Sequence, residues 1–228
     1  MSDRLRARID ALPPPQRRLW PTLAAARGLG FVLYGGTAVA LRLGHRISED
    51  FDFFTEQSLD HDALREAFPF VAGAKVLLSR PDTWTALVAS GSDDKEGVKV
   101  SFFGNVSFGR VGNPTVTEDG VMEIASLDDL MATKLKVLLQ RIQLKDYLDI
   151  AAMLKAGQSL SKGLAGARLL FGPSFQPSEC LKALTYFGGG DLALLTDEVK
   201  EDLKSAAVAV RDLPQVGLAA PQLSTSHA

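Results

Sequence analysis

An α+β chain is predicted, with a mixed β-sheet flanked by helices and a C-terminal bundle of further helices. Three observations predict it. Short apolar or alternating runs cluster between residues 31 and 103, helical spacing of apolar residues takes over beyond residue 126, and glycine- and proline-rich breaks separate the segments. The expected divisions are a sheet-bearing core with N-terminal helices over 1–125, a helical half over 126–213, and a disordered tail over 214–228, where Pro, Gly, Ser and Thr accumulate.

Taken in order, residues 3–12 carry Leu5, Ile9 and Leu12 at helical spacing among arginines, and Pro13-Pro14-Pro15 ends that run. A second helix is expected from about Gln16 to Arg27, closed by Gly28. Arg4, Arg6, Arg8, Arg17 and Arg18 make this the most basic stretch; a solvated helix face explains them, and an RNA-backbone or partner contact is the sharper alternative. Phe31 to Tyr34 reads as a short buried strand, broken by Gly35-Gly36 into a helical run from Thr37 to Leu43. A polar hinge with His45, Arg46 and Ser48 leads to Asp50-Phe51-Asp52-Phe53-Phe54, and a helix over 60–67 follows. Strands are expected at 75–79, 83–89 and 98–103, the last two joined by a polar turn, Gly91-Ser92-Asp93-Asp94-Lys95. Residues 104–125 read as loops and short strands, and the helices expected beyond the segment 126–150 cover 160–170, 178–187 and 191–213.

The stretch from 31 to 54 carries the chemistry. Residues two apart on a strand face the same way, so Asp50 and Asp52 project together, roughly 7 Å apart, while Phe51 and Phe53 pack on the other side. Two carboxylates on one face can converge on a hard cation such as Mg²⁺, which prefers oxygen ligands and is commonly shared with substrate phosphates. A Gly-Gly turn into a helix supplies the complement, backbone N–H groups open to phosphate. Gly-Gly alone is most often a turn, and Asp-x-Asp alone is common on exposed edges. Their union in one strand–helix–strand unit, with Arg46 and Ser48 between, points to a cradle for a nucleoside triphosphate and a metal ion.

A second arrangement lies on the helix opened by Ser126-Leu127-Asp128-Asp129. Leu127, Leu130, Met131, Leu138 and Ile142 form one apolar stripe, and Lys134 and Arg141 fall inside it. Cations in an apolar stripe need anionic partners. Either the two side chains snorkel to water or meet Asp146 or Asp149 in an internal salt bridge, or Lys134 reaches a bound triphosphate.

Composition narrows the classes. The 228 residues carry 25 Lys+Arg against 27 Asp+Glu, so no global basic field grips nucleic acid. A single cysteine, Cys180, excludes an intrachain disulfide framework and is expected as a small buried hydrophobe. No run approaches a membrane span, MSDRLRARIDALPPPQ lacks the apolar core of a signal peptide, and no zinc-ligand spacing occurs, so a soluble cytoplasmic protein without membrane partners is expected.

The run GGTAVALRLGHRISEDFDFF, residues 35–54, resembles the signature of the AbiEii/AbiGii toxin family within the polymerase-β-like nucleotidyltransferase superfamily. MATKLKVLLQRIQLKDYLDI, residues 131–150, is similar to the family's later motif. The resemblance implies a minimal nucleotidyltransferase fold, Mg²⁺-dependent use of a nucleoside triphosphate, tRNA as a candidate acceptor, and a cognate antitoxin encoded nearby. It implies metal binding by Asp50 and Asp52, a triphosphate held by Gly35, Gly36, Thr37, Arg46, Ser48 and Arg141, and Lys134 offsetting charge during transfer. Asp146 either orients Lys134 and Arg141 or supplies a further carboxylate. One departure stands out: many such enzymes place a third carboxylate on a neighbouring strand, where VKVSFFG offers Ser101. A neutral hydroxyl neither anchors a second metal as a carboxylate does nor accepts a proton readily. The alternative function is therefore a nucleotide-binding or interaction module that keeps the fold without the reaction.

Overall fold

The computed structural model describes residues 4–91 and 96–225. The predicted turn at Ser92-Asp93-Asp94-Lys95 lies outside the described residues. In chain order the strands are β1 Val32–Tyr34, β2 Asp50–Phe54, β3 Lys75–Arg80, β4 Thr83–Val88, β5 Val98–Phe103, β6 Thr115–Val116 and β7 Glu123–Ile124. The α-helices are α1 Pro14–Leu19, α2 Ala25–Gly28, α3 Gly35–Leu43, α4 His61–Ala67, α5 Leu127–Leu138, α6 Leu144–Lys155, α7 Leu160–Phe171, α8 Pro177–Thr185 and α9 Asp197–Ala209. The chain forms two units, one of residues 1–109, 113–126 and 220–228, the other of 110–112 and 127–219.

The first unit is built on a seven-stranded sheet of order β3-β4-β5-β2-β1-β7-β6. It is mixed, as expected: β1 runs antiparallel to β2 and parallel to β7, while β2 runs parallel to β5. The alternation in DFDFF sends Phe51 and Phe53 into the core, both fully buried. There Phe53 stacks on Phe102 with centroids 4.9 Å apart, Phe31 meets Phe102 edge-on at 5.0 Å, and Trp20 tilts against Phe51 at 6.2 Å. These large rings pack the core face of β2 and β5.

Two expectations in this unit are corrected. Residues 4–8 are not helical: Leu5 bridges Thr117 in parallel, donating from its N–H to Val116 O at 2.9 Å and accepting from the Glu118 N–H at 2.9 Å. The edge beside β6 offers unpaired backbone groups, and R-L-R-A-R-I satisfies a two-residue period as well as a helical one. The arginines there bond to backbone or to acid: Arg4 to Glu118 O, Arg17 to Leu12 O, Arg18 to Ser90 O, and Arg8 to Asp10. Within the stretch expected to be disordered, residues 223–225 are held in place. Leu223 is fully buried and donates its N–H to Glu56 Oε2 at 3.0 Å. The buried Glu123 carboxylate accepts from Ser224 Oγ at 2.6 Å, the Thr225 N–H at 2.8 Å and the Thr225 hydroxyl.

The second unit is helical. Gly163 of α7 lies so close to α5 that an added Cβ would collide with Met131, which is why a glycine stands there. Cys180, on α8, is buried and points its Sγ at Leu135 O at 3.4 Å, with burial pushing its thiol up to about 12. The helix expected over 191–213 is broken. Leu192–Leu194 is a 3-10 turn, Leu195 is extended, and Thr196 caps α9 by accepting from the Val199 N–H at 3.4 Å. No helix among the described residues is long and apolar enough to cross a membrane.

Candidate active site

In the first unit the candidate residues gather where β1 ends and β2 begins. Strand register decides who faces whom. Tyr34 pairs with Asp52 across β1 and β2, while Asp50 pairs with Lys99 and Asp52 with Ser101 across β2 and β5. Partners in register share a face. One face therefore carries Asp50, Asp52, Lys99 and Ser101 together, with both carboxylate side chains partly exposed.

Gly35 opens α3 with φ +73°, a conformation that disfavours any side chain. An added Cβ would lie 2.5 Å from Asp52 Oδ2. The Asp52 carboxylate thus leans directly over the turn. Gly35→Ala is expected to cost about 1–2 kcal/mol through backbone strain, lowering Tm by about 2–8 °C, and to push the Asp52 carboxylate off the turn. Thermal melts measure the loss of stability.

Thr37 and Ser48 sit beneath this turn, 1% and 5% exposed. The Thr37 hydroxyl bonds the Ser48 hydroxyl at 2.8 Å and the Asp50 carbonyl. Both hydroxyls face inward, so these residues set the position of the turn and of the strand carrying the carboxylates. The hinge is tied down from outside as well: the Gln16 amide donates to Glu49 O, and the Ser48 N–H reaches Ala11 O at 3.3 Å. The Arg46 guanidinium bonds Ile47 O at 2.9 Å.

Lys99, two residues before Ser101 on β5, shares its face, and sequence reasoning missed it. Lys99 Nζ lies 3.6 Å from Asp50 Oδ2. A cavity of about 330 Å³ in this unit is lined by residues such as Gly28, Phe31, Thr55 and Asp60, and by none of the predicted site residues.

Lys134, Arg141 and Asp146 belong to the second unit. Lys134 is 5% exposed, with Nζ 2.8 Å from Asp146 Oδ1 and 2.6 Å from Asp149 Oδ2, both carboxylates being fully buried. Arg141 grips Asp146 with two bonds, Nε to Oδ2 at 2.8 Å and a terminal nitrogen to Oδ1 at 3.0 Å. Burial alone would push the Asp146 carboxyl up. The Arg141 hydrogen bonds and the Lys134 charge outweigh it and hold Asp146 below the usual carboxylate range. Of the two partners weighed for Lys134, the internal salt bridge is present.

A glycine turn into a helix, with an Asp-x-Asp strand folded back over it on a mixed sheet, defines a nucleotidyltransferase class of fold. The crystal structure of an antigenic nucleotidyltransferase-like protein from Paracoccidioides brasiliensis is similar in fold, with a TM-score of 0.51 at 16% identity over 91% of this chain and 96% of that one. The family model described as nucleotidyl transferase AbiEii toxin, type IV TA system, matches residues 17–174. The chain belongs to that family. It is also 33% identical over 122 residues to an uncharacterized protein of Aquifex aeolicus (strain VF5), a match covering 53% of this chain and 55% of that relative, so the chain spans about half the relative's length.

Proposed function

We propose that the chain is an Mg²⁺-dependent nucleotidyltransferase that moves a nucleoside monophosphate from a triphosphate to an acceptor hydroxyl and releases pyrophosphate. The observation that carries the reading is the Asp52 carboxylate lying over the Gly35 turn, with Asp50 on the same face of β2. Among the described residues no group of three or more His, Cys, Asp or Glu side chains could hold a metal ion. Two carboxylates fit one hard cation that completes its shell with water and phosphate oxygens, which is how Mg²⁺ is usually held in phosphoryl-transfer sites. Such an ion would neutralise charge on the triphosphate.

The chain's own residues do the rest. Asp50 and Asp52 would hold the cation, and the backbone N–H groups at Gly35 and Gly36 meet the triphosphate oxygens at the positive end of α3. Arg46 supplies a further donor from the hinge. Thr37 and Ser48 hold the turn and strand in register. The acceptor oxygen forms a bond to the α-phosphorus while the bond to the pyrophosphate oxygen breaks, and the hydroxyl proton passes to water. Lys134 and Arg141 match the family's later motif in a segment that the family model covers, which supports roles in offsetting charge and holding Asp146. By the same membership, the acceptor is proposed to be tRNA and the partner a cognate antitoxin.

The test incubates purified protein with each α-labelled triphosphate, Mg²⁺ and total tRNA. Label entering tRNA is the expected result, and Asp50→Ala should abolish it together with any growth arrest on expression. Transfer to a protein hydroxyl would keep the site and change the acceptor. One observation favours a second reading: Ser101 lies in register beside Asp52, where many such enzymes have a carboxylate. Triphosphate binding without transfer to any macromolecule would replace the enzyme by a nucleotide-binding module.

A further inference from the structure

Lys99 has no role in the scheme above, yet it stands on the site's face in register with Asp50. Its ammonium is 3.6 Å from Asp50 Oδ2, beyond hydrogen-bond length, and its side chain is 42% exposed. Charge alone relates the two groups, and a long exposed stem lets the ammonium reach other anions on that face. Two residues further along β5, Ser101 is neutral and 1% exposed. The face thus carries one carboxylate fewer and one ammonium more than a site for two divalent ions would need. Two such ions lie about 3.5–4 Å apart and share carboxylates, and a fixed positive charge against Asp50 opposes the second.

We propose that Lys99 is the second cation of the site: its ammonium is shared between Asp50 and a phosphate oxygen of the bound triphosphate, and the site takes one divalent ion. The inference rests on the nucleotidyltransferase reading and adds to it a residue and a metal stoichiometry. A lysine acting this way has opposite effects on two ligands. It competes with a metal ion for Asp50 and attracts a polyanion.

The experiment measures Mn²⁺ binding by electron paramagnetic resonance, with and without a non-hydrolysable α,β-methylene triphosphate, on the full chain and on Lys99→Met and Lys99→Arg. One Mn²⁺ per chain is expected with the analogue present. Lys99→Met should bind Mn²⁺ alone about threefold to tenfold more tightly and the analogue about tenfold more weakly, while Lys99→Arg keeps analogue affinity within about threefold. Two Mn²⁺ per wild-type chain would overturn the inference. So would unchanged analogue affinity in Lys99→Met, or a parallel loss of both affinities, which a merely structural lysine would give. If wild type binds no analogue with any of the four bases, the nucleotidyltransferase reading itself fails. Binding by wild type and equally by Lys99→Met removes Lys99 alone.

Discussion

Methionine at position 134 is expected to destabilise the second unit by about 3–5 kcal/mol, the cost of removing one member of a buried ion cluster. The Lys134 ammonium lies within 2.8 Å of two fully buried carboxylates, Asp146 and Asp149. Arg141 still holds Asp146 after the change, but Asp149 loses the cation 2.6 Å away. Urea denaturation followed by circular dichroism measures the loss. A loss under about 1 kcal/mol would mean that the cluster contributes no more than an exposed pair. Neutralising Asp149 in the same chain, as Lys134→Met/Asp149→Asn, should recover part of the loss, since removing both partners is cheaper than removing one.

The cluster also has a pH signature. The folded Asp146 carboxyl titrates below its ordinary value, because Arg141 and Lys134 outweigh the effect of burial. A depressed folded pKa contributes stability that is fully present above the unfolded value, near 3.9, and lost as pH falls through the folded one. The urea midpoint should therefore decline from about pH 4 downward, and Asp146→Asn should remove that share of the decline. The same facts complicate growth assays: loss of toxicity in Lys134→Ala follows equally from unfolding and from lost chemistry.

Asp52→Asn separates the two. Asp52 is partly exposed on an otherwise intact strand, and asparagine has the same shape. Stability should change by less than about 1 kcal/mol, whereas on the proposed reading of Asp52 as a metal ligand nucleotidyl transfer should fall on the order of 10³-fold or more. Single-turnover transfer alongside a melting curve reads both. Transfer retained within tenfold would remove Asp52 from the metal site.

Much of this was legible because local pattern and tertiary need agree. In DFDFF the alternation that buries Phe51 and Phe53 is also what turns Asp50 and Asp52 outward, so one strand assignment yields core and candidate site together. The Gly35 turn was legible for a similar reason, since a φ of +73° beneath a carboxylate admits little else. What escaped depends on long-range partners. Residues 4–8 satisfy two periods, and only the edge beside β6, more than a hundred residues away, selects the extended one. Lys99 becomes notable only once β5 is known to run beside β2 in register. The break at Leu195 turns on Thr196 acting as a cap within a run that otherwise reads as helical.

The link between Glu123 and Ser224 joins positions 101 apart in the chain. During synthesis, that carboxylate and the interior position filled by Leu223 stay incomplete until residues 223–225 have emerged from the ribosome. The first unit can collapse early, but it is completed only then. A nascent chain stalled before residue 223 should be digested at protease concentrations that the released protein survives.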